Sequence, residues 1–440
     1  MATSSKVHLT PAYQPQFSLP GISTESAEKA SELLQKNHED FHIFFNRSGF
    51  HNHIVHHLLT LYALKATPAE LQKGYDENAS YQRPPEKVDE KVVEDMANAE
   101  TYKKYLGKER YYHDYLVFFQ NEMDKKGWQE VLNEYVFKGD ERADDMLVRM
   151  YAGFLHPIIH LGFGVEFEQP AIIAEALAQA AVHEVWMGKL FYPAEEQAKI
   201  TENVHKSIVQ LLDDIRNNEP LKASPHWDDG NKIRDGVLKR APEQMLKYAS
   251  QFQVTEEDLE RRTAEMINAT AYFTGAAQHP PHQVKFDFFY MHCINSSIFF
   301  PSFLRQTWLS PANKIRLLEW KVRADLALYA SRGSADLLLD EITSYKPKAG
   351  TDAPLDNVFA RARRFPDDGH TSKFIRALAN GEKVCRKWEG EDGFVIKGDM
   401  WKLLGHMVID SVEAGYPHWV RNAGMEEAWK DVPLRTASKM

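Results

Sequence analysis

A chain of 440 residues, 43% hydrophobic and 12% aromatic, holds ample material for a large core, and a charged fraction of 26% excludes extensive disorder. A formal net charge of −10 with no cluster of Lys and Arg excludes a duplex nucleic-acid binder, which must neutralise phosphates. Two cysteines, Cys293 and Cys385, are too few for a disulfide scaffold, so the chain reads as reduced and cytoplasmic.

Residues 1–22 have neither an apolar leader core nor an Arg-rich amphipathic pattern and read as an extended arm. From there helical periodicity dominates. "STESAEKASELLQ" opens with a Ser or Thr cap and acidic residues in its first turn. "DERADDMLVRMYAGFL", "NKIRLLEWKVRADLALYASRG" and "DMWKLLGHMVIDSVEAG" repeat the pattern. "AEEQAKITENVHKSIVQLLDDIRNN" aligns Ile200, Val204, Ile208, Leu211, Leu212 and Ile215 on one stripe, the mark of a single amphipathic helix. Alternating strand patterns are scarce, so the fold is expected to be all-α. The most apolar run, "FDFFYMHCINSSIFFPSFL", is interrupted by Asp, His, Asn and Ser, which excludes a membrane span. Pro and Gly punctuate 218–230, 278–283 and 344–356, as domain linkers or as loops within one bundle.

Nineteen histidines are the unusual feature. Between Gly49 and Leu64 apolar residues, Phe50 among them, cover most of the helical wheel. The one polar stripe is His53, His56, His57 and Thr60, at three- and four-residue steps. A polar stripe on a buried helix faces something inside the protein. Core histidines bonded to carbonyls explain any one of them; a shared ion explains the stripe. His156 and His160 in "GFLHPIIHLGFGVEFEQP" are four apart, a metal-ligand spacing, without the HExxH glutamate of a metalloprotease. Pro157 in the first turn makes His156 the cap and His160 the inward residue. The "GFG" glycines match no dinucleotide fingerprint. His292 lies among apolar neighbours and is expected to be buried.

"FPDDGHTSKFIRALANGEK" begins a helix whose apolar stripe, Phe374, Ala377 and Leu378, also carries His370 and Lys373, with Ser372, Arg376 and Asn380 facing away. A lysine turned inward in a first helical turn is disfavoured as a cation by burial and by the helix dipole. A neutral amine can add CO2 and become a carbamate, an anionic ligand. Snorkelling, or pairing with Asp367 or Asp368, is the plainer alternative.

"FHNHIVHHLLTLYALKATPAELQKGYDEN", "GFLHPIIHLGFGVEFEQP", "HCINSSIFF" and "DDGHTSKFIRAL" together resemble the questin oxidase-like family, over about residues 45 to 415. The resemblance implies a Baeyer–Villiger-type or ring-cleaving oxygenase acting on anthraquinone-like aromatic polyketides in fungal secondary metabolism. It also implies non-haem Fe(II) held by four histidines and a carboxylated lysine, with O2 as cosubstrate. Carried over, the ligands are His56, His160, His292, His370 and carbamylated Lys373, with His370 and Lys373 central to catalysis. His53 and His156 are alternates or supporting partners; the motif matches both His53 and His56, and the wheel does not separate them. Ligands drawn from across all three breaks imply a single large multi-helix bundle, residues 23–440, with the metal in its interior. Tyr62, Tyr151, Trp186, Phe289 and Tyr290 flank the motifs and are expected around a small aromatic substrate. NADPH, which some relatives use, is expected only as an external reductant. The residues leave oligomeric state open.

Three other classes fit parts of the pattern. A Zn-dependent hydrolase suits a His-rich helical site, with slight support from "HD" at 113–114. A di-iron bundle would use the ExxH motifs at 39–42 and 202–205, but needs two further glutamates. A non-enzymatic scaffold would merely pack its histidines.

Overall fold

A computed structural model describes residues 1–201 and 206–435, and its chain divides into two compact units assembled from interleaved segments. The first comprises residues 1–188, 299–313 and 366–373; the second comprises 189–298, 314–365 and 374–440. The second ExxH motif and Val204 lie outside the described residues.

The first unit is built on helices. Its framework is α1 (Thr24–Asp40), α2 (Ile54–Ala63), α3 (Tyr112–Lys126), α4 (Glu141–Met150), α5 (Ala152–Glu166) and α6 (Pro170–Val182). The caps are those the sequence encodes: Ser23 accepts from the Ser26 N–H ahead of α1, and Asp140 accepts from the Ala143 N–H ahead of α4. At the centre lies α6, "PAIIAEALAQAAV", buried from Ala171 to Val182. Gly164 of α5 allows that helix to approach closely: a Cβ there would stand 2.7 Å from Ile173 Cγ1 of α6. The arm over 1–22 has no helix and lies along this unit. Tyr13 Oη donates to the Glu166 carbonyl at 2.7 Å and Leu19 N–H to the Ala63 carbonyl at 2.8 Å.

The second unit contains most of α7 (Gly188–Ile200), α8 (Ile208–Arg216), α9 (Leu259–Ala276), α10 (Phe288–Ser297), most of α11 (Pro311–Ser331), α12 (His370–Cys385) from Phe374 onward, and α13 (Met400–Glu413). The single helix expected over 194–218 is two. Ser207 and Gln210 form a capping box that starts α8 afresh, and Ile200, expected on a buried stripe, is 76% exposed. The strands among the described residues are β1 (Phe286–Asp287) and β2 (Trp419–Val420), parallel, with Phe286 opposite Trp419. The Asp287 carboxylate caps α10, accepting from Phe289 N–H at 2.7 Å and Tyr290 N–H at 3.0 Å. Both cysteines are free and buried. No described helix is long and apolar enough to cross a membrane.

Candidate metal centre

The stripe on α2 is buried as its spacing requires: His53, His56, His57 and Thr60 are at most 7% exposed. Phe50, expected in the buried apolar cover of this helix, is not part of it. The helix begins at Ile54, whose N–H is taken by Asn52 Oδ1 at 2.9 Å, and Phe50, in the preceding turn, is 54% exposed.

His53, the residue that precedes α2, His156 of α5 and His370 at the start of α12 each offer a ring nitrogen, and these three nitrogens lie within 4.8 Å of one another. All three residues belong to the first unit. The carboxylate of Asp368 accepts from His53 Nδ1–H at 2.8 Å and, through its other oxygen, from His370 Nδ1–H. Burial opposes the charge on Asp368, yet His370 and His53 hold its carboxyl well below the usual range. His156 Nδ1–H donates to the Gly153 carbonyl at 2.6 Å. A carboxylate and a carbonyl only accept, so the proton of each ring is fixed on Nδ1 and Nε2 carries the lone pair.

His53 Nε2 and His156 Nε2 stand 2.7 Å apart. Burial first, and the Lys373 ammonium second, lower the His53 pKa to about 4, so this ring is neutral at pH 7. With each Nδ1 turned to an acceptor, the two Nε2 atoms face one another, an arrangement that a cation between them stabilises. Adjacent ligands on an ion with metal–nitrogen bonds of about 2.1 Å are about 3 Å apart, close to the separation here. The donor set therefore fits a divalent metal, and the outer contacts are those that orient metal-binding imidazoles.

The backbone pays for His156. Gly153, Phe154 and Leu155 have φ of 52°, 56° and 71°, a left-handed turn inside α5, and the right-handed helix resumes at His156. Left-handed Phe and Leu cost about 1–2 kcal/mol each. The turn aims the Gly153 carbonyl at His156, and a Cβ at Gly153 would stand 2.6 Å from His183 Cε1 and 2.9 Å from His51 Cε1. His51 stacks on His156 at 3.8 Å with an interplanar angle of 5°, and its Nε2 meets His183 Nε2 at 2.8 Å.

His56 and His160 form a second layer. His56 Nε2 is 3.1 Å from His160 Nδ1, and His160 Nε2–H donates to Glu175 at 2.7 Å. Glu175 also accepts from His38 Nδ1–H at 2.6 Å. Although burial raises its pKa, hydrogen bonds from His160 and His38 draw it down to about 2. Lys373 is buried on the first turn of α12; desolvation lowers its pKa to about 8 against the opposing pull of Asp368 and Asp367. Asp367 caps that helix, accepting from Gly369 and Thr371 N–H.

Other expected residues lie as follows. His292 belongs to the second unit, where its Nδ1–H donates to the Phe288 carbonyl at 2.7 Å, the same tautomer. Tyr62 and Tyr151 are buried and Trp186 half-buried in the first unit. Tyr290 is core in the second, its Oη on the Tyr329 carbonyl at 3.1 Å, and Phe289 is half-buried with the Arg332 guanidinium 4.0 Å from its ring. Ser372, Arg376 and Asn380, expected to face away on α12, are at most 1% exposed: that side of the helix is covered too. His42 of the first ExxH lies beside Glu86 and Glu109, but Arg83 bonds all three and supplies the positive charge there. His113 and Asp114 bond backbone groups of Glu86 and Asp89.

A family model described as questin oxidase-like matches residues 50–378. A protein named Baeyer-Villiger monooxygenase dmxR6 from Cryptosporiopsis sp. is 44% identical, the match covering 97% of this chain and 98% of that one. Baeyer-Villiger oxidase AgnL3 from Paecilomyces divaricatus is 42% identical over 100% of this chain and 98% of its own. A questin oxidase from Aspergillus fumigatus is 36% identical over 98% and 100% respectively.

Proposed function

The chain belongs to the questin oxidase-like family, and on that premise we propose that it is a non-haem iron oxygenase. Its reaction would insert oxygen next to a carbonyl of an anthraquinone-like aromatic polyketide, or cleave the adjoining C–C bond. The names of its relatives support the reaction class. The observation that carries the metal is the pair of fixed tautomers facing each other across 2.7 Å at His53 and His156.

His53, His156 and His370 would hold the ion, and Lys373 would add an anionic oxygen ligand as a carbamate. A buried amine with a pKa near 8 is partly neutral at physiological pH, as addition to CO2 requires. The resemblance makes His56, His160 and His292 ligands as well; we place His56 and His160 one step back, where His56 meets His160 and Glu175 holds His160. Bound Fe(II) supplies activation of O2, whose triplet ground state does not attack a closed-shell quinone unaided.

The protein's own part is orientation and exclusion. Asp368 holds two rings at once, and the Gly153 carbonyl holds the third. Their burial keeps bulk water from competing for the same donors. Insertion of one oxygen atom consumes O2, two electrons and two protons and releases water, so that outcome needs an external reductant such as NADPH. Incorporation of both atoms needs none.

Metal analysis of purified protein, with turnover of hydroxyanthraquinones under isotopically labelled dioxygen, tests the proposal. A single iron per chain and label in the product are expected. Three histidines also suit a zinc-bound water; zinc content with unlabelled, hydrolysed product would replace the oxygenase by a hydrolase. Loss of iron in His292→Ala would support the carried-over role of that residue.

A further inference from the structure

Along α6, "PAIIAEALAQAAV", only two side chains are polar: Glu175 and Gln179. They are four residues apart and share a face. Glu175 is fully engaged by His160 and His38. Gln179 is 0% exposed, and neither its amide nitrogen nor its amide oxygen has a hydrogen-bond partner among the described residues. A fully buried amide with both ends unsatisfied is rare and calls for an explanation.

Two observations give its direction. Four residues before Gln179, Glu175 meets His160; four residues after it, His183 meets His51, which stacks on His156. The register of α5 against α6 agrees. Gly164 abuts Ile173, His160 bonds Glu175 and Gly153 abuts His183, so successive turns run antiparallel and bring Gln179 level with His156. The amide thus lies at the depth of the three-histidine cluster, on the face of α6 that serves histidines above and below it.

We propose that Gln179 is a specificity-determining residue that binds the substrate directly. A primary amide presents one acceptor and one donor side by side. A hydroxyquinone presents their complement where a ring hydroxyl neighbours a quinone carbonyl: Gln179 Oε1 accepts from the hydroxyl and Nε2–H donates to the carbonyl oxygen. The site so read recognises that hydroxyl–carbonyl pair and discriminates against the same ring with its hydroxyl methylated. This rests on the oxygenase reading above, and its test separates the two.

Gln179→Leu and Gln179→Met keep the volume and remove the polar atoms. Iron content, melting temperature and equilibrium binding of a hydroxyanthraquinone and of its methyl ether are measured on the anaerobic iron-loaded protein. Both variants are expected to fold with an unchanged or raised melting temperature, because no protein partner is lost, and to retain iron. Kd for the hydroxyquinone should rise about 10- to 100-fold while Kd for the ether stays constant, erasing the preference. Unchanged hydroxyquinone affinity overturns the proposal, as does a failure of both variants to fold or an equal loss for both ligands, each of which marks a structural amide. A wild-type protein that binds neither ligand defeats the oxygenase reading itself.

Discussion

Replacing Asp368 by Asn changes one atom and reverses the logic of the cluster. The carboxylate accepts from His53 Nδ1–H and His370 Nδ1–H together. An amide keeps one acceptor and substitutes a donor for the other, so only one ring retains its tautomer. The second must present a bare Nδ1, move its proton to Nε2 and withdraw that nitrogen from the ion. Loss of such an outer contact lowers metal affinity about 10- to 100-fold, which is about 1.4–2.8 kcal/mol at 1.4 kcal/mol per decade. Chelator competition measures this directly. The gain in melting temperature on iron loading should shrink in parallel, because ligand stabilisation follows the logarithm of concentration over Kd. Asp367→Asn is the control: its carboxylate accepts from the backbone N–H groups of Gly369 and Thr371 and from neither ring of the cluster. It should cost stability and leave iron affinity unchanged. Equal iron affinity in Asp368→Asn and wild type, or equal losses in both variants, would refute the assignment of Asp368.

Other perturbations bear on the same parts. Gly153→Ala forces a Cβ against His183 and His51 at a φ of 52°, so a loss of about 1–3 kcal/mol by denaturant titration, with reduced iron retention, is expected. Lys373→Ala should release iron, and stripping CO2 from wild-type protein should do so reversibly; indifference to both would discard the carbamate. In metal-free protein the His53 pKa is depressed to about 4, so the unfolded chain takes up its proton first as pH falls. Stability should therefore decline from about pH 6.5 to about pH 4, by up to about 3 kcal/mol from this ring, and a flat profile across that window would contradict its burial as a neutral imidazole.

Much of the site was legible because helical spacing is short-range. The buried stripe of α2, the His156/His160 pair and the inward-facing His370 and Lys373 all follow from three- and four-residue steps. What spacing does not report is whether the opposite face is also covered, and Ser372, Arg376 and Asn380 are buried for that reason. Nor does it separate His53 from His56. Our placing of His53 in the cluster draws instead on Asp368, 315 residues away from His53 in the chain, and on a left-handed turn before His156. Glu175 and Gln179 had a local signal that periodicity did not catch: a glutamate and a glutamine four apart in an otherwise apolar, alanine-rich helix. The break between α7 and α8 was likewise written in the Ser207–Gln210 capping box, where a continuous stripe suggested one helix.

Anomalous diffraction at the iron edge, from crystals of protein loaded anaerobically with Fe(II), tests the metal centre most directly. The expected result is a single peak within coordination distance, about 2.1 Å, of His53 Nε2 and His156 Nε2, with a His370 nitrogen also bound. Iron located elsewhere, or a proton-bridged His53–His156 pair in fully loaded protein, would contradict it.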